Sequence, residues 1–147
     1  MRGAWSLVLG LVLIGCRSAG AETESGCPSG TNLTSEKGDE HEDHAEWCAR
    51  PDGTRHGRYV GFWKSGGKSS EGDIRNGKRE GKWRSFYEHG EVVSEGSYVD
   101  GKPHGVWLAF SLRRTFAFAT CIEHGEKRWQ LTRNEITEAD ALAKACP

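Results

Sequence analysis

The side chains able to do chemistry are few and dispersed. Cysteines stand at Cys16, Cys27, Cys48, Cys121 and Cys146, and offer lipidation, disulfides or metal ligation. No two have C-x-x-C spacing, which argues against a zinc site. His41-Glu-Asp-His44, flanked by Glu40 and Glu46, has the composition of a loose divalent-ion tract. A third, rigid ligand is missing, so a solvated linker is expected. Gly66-Gly-Lys-Ser-Ser70 looks like part of a phosphate loop, but the motif needs a Gly five residues before its second Gly, and Phe62 stands there. His56, His89, His104 and His124 fall at or beside turns, and Glu71/Asp73 and Glu91/Glu95 read as solvent-facing charge. No Gly-x-Ser-x-Gly elbow occurs. Lysines and arginines interleave with tryptophans, a pattern that can stack single-stranded nucleic acid, but the charge is too nearly balanced to favour it. The expectation is no catalytic residue, no metal, no cofactor, no nucleic-acid partner and no small-molecule substrate.

The elements that would position these groups are modest. The chain has 147 residues, 35% of them hydrophobic, with 20 Lys+Arg against 21 Asp+Glu and 20 Gly. That suits one small domain with tails, which is marginally stable without reinforcement. Met1-Arg2 precedes an apolar run over residues 4–14, too short for a bilayer core of ~30 Å. A basic start, a short apolar run and small residues read as a secretory signal over residues 1–15. The run ends Leu13-Ile14-Gly15-Cys16, which resembles the bacterial lipobox. That resemblance implies cleavage before Cys16 and acylation of its thiol, a lipoprotein anchored in a membrane. Arg17 stands where an Asp would imply inner-membrane retention, so the resemblance implies the outer membrane, facing the periplasm or the cell surface. Ala19-Gly20-Ala21 offers an ordinary cleavage site that would discard Cys16 instead.

Cys27, Cys48, Cys121 and Cys146 then remain, an even number in an exported chain. Of the three possible pairings, Cys27–Cys48 and Cys121–Cys146 close local loops and are expected. Residues 16–47 read as a flexible tether, because residues 21–47 hold eight acidic residues and one Lys. Residues 48–147 hold 17 Lys+Arg and 13 Asp+Glu, a mildly basic +4.

A 24-residue repeat dominates residues 48–131. Asp52-Gly53, Asn76-Gly77, Asp100-Gly101 and His124-Gly125 recur at that spacing, as do Gly57, Gly81 and Gly105. So do Tyr59/Trp83/Trp107, Phe62/Phe86/Phe110, Gly66/Gly90 and Gly72/Gly96. Polar units cornered by Gly with aromatics between them read as hairpins. Strands are expected near 58–64, 69–75, 82–88, 92–99, 106–112 and 116–123. An even period keeps each column on one face. Tyr59, Trp63, Trp83, Tyr87 and Trp107 should therefore share a face, as core or as a binding strip, with the Phe column opposite.

Gly77-Lys-Arg-Glu-Gly-Lys-Trp83 and Gly101-Lys-Pro-His-Gly-Val-Trp107 resemble MORN repeats, and more closely the MORN-like repeats of the bacterial YwqK-type antitoxin family. Arg58-Tyr-Val-Gly-Phe-Trp63 and Arg84-Ser-Phe-Tyr-Glu-His-Gly90 fit the aromatic half, and the likeness spans about residues 52–125. It implies a mainly β fold, an elongated antiparallel meander of hairpins, without shared catalytic residues. Arg114 and Thr120 depart from the pattern where Gly is expected, as terminal units do. Thr132-Arg-Asn-Glu135 and Thr137-Glu-Ala-Asp140 resemble capping boxes, so residues 132–147 are expected to form a cap with a short helix near 137–145. The function expected is non-catalytic: a repeat sheet presented at the envelope for binding or scaffolding an unknown envelope protein. The alternative is an antitoxin- or immunity-like protein that occludes a toxin.

Overall fold

A computed structural model describes residues 26–38 and 42–146. Nine antiparallel strands form one open meander, in which each strand pairs with the next in sequence. They are β1 (Asn32–Lys37), β2 (Glu42–Ala49), β3 (Arg55–Trp63), β4 (Lys68–Arg75), β5 (Lys78–Phe86), β6 (Val92–Val99), β7 (Lys102–Phe110), β8 (Phe116–Glu123) and β9 (Glu126–Thr132). One short helix, α1 (Glu138–Ala143), follows. The protein is thus mainly β, as the repeat predicts.

The turns explain the glycine columns. Asn76-Gly77, Asp100-Gly101 and His124-Gly125 all have positive φ at both residues, from 50° to 94°. That is the two-residue hairpin turn whose twist matches the strands, and Gly and Asn tolerate it best. The three-residue corners are equally alike. Trp63, Tyr87 and Ser111 each donate a backbone N–H to the carbonyl four residues on, at 2.7, 2.8 and 2.9 Å. Arg114 holds the Gly66/Gly90 position with φ 55°.

Three strands start earlier than the sequence suggests, at Arg55, Lys78 and Lys102. Gly81 and Gly105 form a repeat column of their own. They lie inside β5 and β7 with φ 67° and 81°, beside register shifts that bulge those strands. A larger difference lies in the acidic stretch expected to be a flexible tether over residues 16–47. Its described part carries β1 and most of β2, which extend the sheet by one hairpin. Ala45, Trp47 and Ala49 alternate inward along β2 and pack with Tyr59, so apolar burial outweighs the acidic composition. The strand β9 also lies outside the expected set, and Trp129 carries it by packing near Leu108 and Ala119.

Disulfides join Cys27 to Cys48 and Cys121 to Cys146, each with a Cα–Cα separation of 5.6 Å. These are the two expected bridges. Thr137 caps α1 by accepting the Asp140 N–H at 3.1 Å. Ala141 is fully buried beside Leu108 and Ala119, so the helix seats on β7 and β8. Among the described residues no helix is long and apolar enough to cross a membrane. Cys16 and the expected signal segment lie outside the described residues.

Candidate interaction face

Strand register sorts the residues into rows that run across the sheet. One row reads Thr34, Trp47, Tyr59, Gly72, Trp83, Gly96, with Trp107 and Thr120 continuing it. From Tyr59 to Trp107 aromatics thus alternate with glycines on neighbouring strands, and the alternation has a mechanical reason. A Cβ placed on Gly72 would meet the Trp83 indole, and one on Gly96 would meet that of Trp107. Each indole lies flat over the glycine beside it. Each also turns its N–H inward: Trp83 Nε1 donates to the Asp73 carbonyl at 3.1 Å, and Trp107 Nε1 to the Ser97 carbonyl at 3.2 Å.

The rings join into a ladder. Tyr59 and Trp83 have centroids 5.4 Å apart, Trp83 and Tyr98 5.8 Å, and Tyr98 and Trp107 5.2 Å. Two arginines lie on it. The Arg55 guanidinium is 4.0 Å from the Trp47 ring, and that of Arg79 is 4.4 Å from Trp83 and 5.3 Å from Tyr98. Arg79 Nη1 also donates to the Tyr98 hydroxyl at 3.0 Å. Trp83 is buried at 3% exposure, while Tyr59, Trp63, Tyr87, Tyr98 and Trp107 are half-buried. The ladder is core at its centre and surface at its margins.

The expected face residues are partly brought together. Tyr59 touches Trp83, and Trp63, Trp83 and Trp107 line one groove. Trp63 and Tyr87 have a further task at the rim. Trp63 Nε1 donates to the Phe86 carbonyl at 3.1 Å, and the Tyr87 hydroxyl to the Phe110 carbonyl at 3.2 Å. Each thereby ties one repeat to the next. Phe62 stacks on His44 at 4.6 Å, and Phe110 packs with the Leu108 cluster under α1. Phe86 also borders the groove, where its carbonyl accepts the Trp63 indole N–H.

Trp47, Tyr98, Arg55 and Arg79 stand outside the columns that the repeat singles out. The Ala45-x-Trp47-x-Ala49 alternation was the available signal for the first. Arg55 and Arg79 stand 24 residues apart, which was the signal for them.

The titratable groups serve the backbone. His56 Nδ1 accepts the Asn76 N–H at 3.4 Å, Glu80 Oε2 the Asp100 N–H at 3.0 Å, and His104 Nδ1 the His124 N–H at 3.5 Å. These three occupy one repeat column. A hydrogen bond from Lys78 holds the Asp100 carboxyl below its ordinary value, as the Thr54 N–H does for Asp52 and the Thr132 N–H for Glu135. Glu71 pairs with Lys68 at 2.8 Å and Glu95 with Arg84 at 3.2 Å. His44 contacts Asp43 at 3.1 Å, and His41 lies outside the described residues. Among the described residues no group of three or more His, Cys, Asp or Glu is placed to hold a metal ion.

Comparison of the chain with protein-family models and with curated proteins finds no match.

Proposed function

We propose that this protein is a non-catalytic interaction module, a MORN-like repeat sheet tethered to an envelope membrane through acylated Cys16. The ladder of Tyr59, Trp83, Tyr98 and Trp107, overlaid by Arg79 on one side of a single-layer sheet, carries this reading. Trp, Tyr and Arg are the side chains in which binding energy concentrates at protein interfaces. Stacked rings reach such a surface already ordered, so little conformational entropy is lost on docking. The paired cysteines of the described domain accord with an oxidising compartment.

Crosslinking and affinity capture from envelopes tests the reading. Arg79→Glu reverses charge on the ladder while its backbone pairing with Ile74 stays available. A specific envelope partner is expected to be captured by the native protein and lost with this variant. Identical capture sets would remove the ladder from the function. Fractionation of Cys16→Ser tests the anchor: release from the membrane is expected, and unchanged association would rule out lipidation at Cys16.

A further inference from the structure

The two edges of the meander are built differently. Among the described residues no further strand pairs with the outer edge of β1 or of β9. In β9, Arg128 is an extra residue between Lys127 and Trp129, and Glu123 and Glu126 hold its guanidinium at 2.6 and 3.8 Å. A charged bulge of that kind blunts an edge against further pairing. β1 has no such device. It pairs with β2 residue for residue from Asn32↔Ala49 to Lys37↔His44, whereas every other strand pair has a register shift. It holds neither Gly nor Pro, and all 6 of its residues are exposed. Leu33 among them is 51% exposed.

The pairing with β2 fixes which backbone groups of β1 stay open. Gly38 donates its N–H to the Asp43 carbonyl at 2.8 Å, which continues the register of β1. Residues that bond to a given neighbour alternate along an antiparallel strand with residues that do not. Asn32, Thr34 and Glu36 therefore turn their N–H and C=O toward β2, and Leu33, Ser35 and Lys37 direct theirs outward. These three are self-complementary. In an antiparallel pairing with a second copy centred on Ser35, Leu33 of each chain meets Lys37 of the other, and Ser35 meets Ser35. Each such pair exchanges N–H and C=O in both directions. Thr34 then stands opposite Glu36, so no like charges oppose. Sliding one copy by two residues either sets Glu36 against Glu36 or carries Lys37 past the strand to Thr31.

We propose that β1 is the contact edge of a two-fold dimer, in which the sheets of two copies of this chain continue as one. The same strand serves both sides, so the interface is isologous and closes. The axis is perpendicular to the sheet, which leaves both aromatic ladders on one side. The edge lies in the plane of the sheet and the ladder on its face, so this inference goes beyond the partner reading above and does not depend on it. A partner that spans both ladders gains from effective concentration.

Sedimentation equilibrium of the purified protein tests it, in a Cys16→Ser background that leaves no cysteine outside the two disulfides. The mass is expected to rise with concentration toward twice that of the monomer. Leu33→Lys sets like charges opposite each other at both ends of the pairing and should weaken association by about tenfold. Adding Lys37→Glu to it should restore association. Ser35→Pro removes an N–H that β2 does not use, a position where an edge strand accepts proline. It should abolish the dimer with the far-UV spectrum retained. Ser35→Cys gives a covalent reading. Cα atoms of a hydrogen-bonded antiparallel pair lie ~5.5 Å apart, within the range a disulfide spans. Mild oxidation should crosslink Ser35→Cys between chains and spare Thr34→Cys. A monomer mass at every concentration would overturn the proposal. So would association indifferent to both Leu33→Lys and Ser35→Pro, or Ser35→Cys crosslinking no more than Thr34→Cys.

Discussion

Gly72 and Gly96 have no side chain because an indole occupies the place where one would be. Neither has the positive φ that obliges glycine at the turns. Their cost to strand stability, from backbone entropy and missing side-chain contact, is offset by the ring that covers them. Gly72→Ala therefore isolates a single contact. The backbone conformation admits alanine, and only the Trp83 ring stands in the way. The substitution is expected to destabilise by ~1–3 kcal/mol, the range for overfilling a packed site, read as a lower urea midpoint. In a Trp83→Val background the ring is gone and the penalty should vanish, although the background itself is less stable. A penalty unchanged in that background would mean that glycine serves the strand and not the ring.

At the scale of elements, the hairpins are held to one another as well as internally. The turn N–H of Asn76, Asp100 and His124 is accepted by a side chain 20 residues earlier, on the strand that immediately precedes the hairpin. The acceptor is His, Glu and His in turn, so the geometry requires an acceptor and tolerates a change in its chemistry. Glu80→His should accordingly retain the contact and most of the stability. Glu80→Ala should lose ~1 kcal/mol, as for other hydrogen bonds to a charged or capping group. Equal losses for both variants in urea unfolding would show that the charge of Glu80 matters and not the turn contact. The hairpins from β3 to β8 were legible because glycine pairs and aromatics recur at 24 residues, and such pairs have few alternatives to a tight turn. The strands β1, β2 and β9 were not legible in the repeat because they carry none of its residues. Edge strands are set by backbone pairing to a neighbour and need little from their own side chains, as the fully exposed pattern of β1 shows. The ladder was legible in Tyr59, Trp83 and Trp107. Tyr98 and Arg79 were not, because their place depends on register and on the bulge at Gly81, which the period alone does not specify.

Across the whole molecule the sheet is a line of hairpins, each in contact chiefly with its neighbours. Such arrays gain stability from nearest-neighbour terms, and their ends are weakest because each lacks one neighbour. The disulfides stand at those ends. Cys27–Cys48 fastens the segment before β1 to β2, and Cys121–Cys146 fastens the segment after α1 to β8. With sequence separations of 21 and 25, each closes a loop that contributes ~3 kcal/mol in the chain-entropy account. The strands β2 and β8 are six strand spacings apart, about 29 Å, beyond the range at which substitutions usually couple. Replacing either pair of cysteines by serine is expected to lower stability by about that amount. The combined variant should show the sum of the two losses to within ~0.5 kcal/mol. Hydrogen exchange gives the sharper reading. Without Cys27–Cys48, amides of β1 and β2 should exchange faster than those of β5 and β6, because an end can open while the centre stays paired. Uniform loss of protection across all nine strands would instead make the sheet one cooperative unit. The aromatic ladder from Trp47 to Trp107 would then be what carries the coupling between its ends.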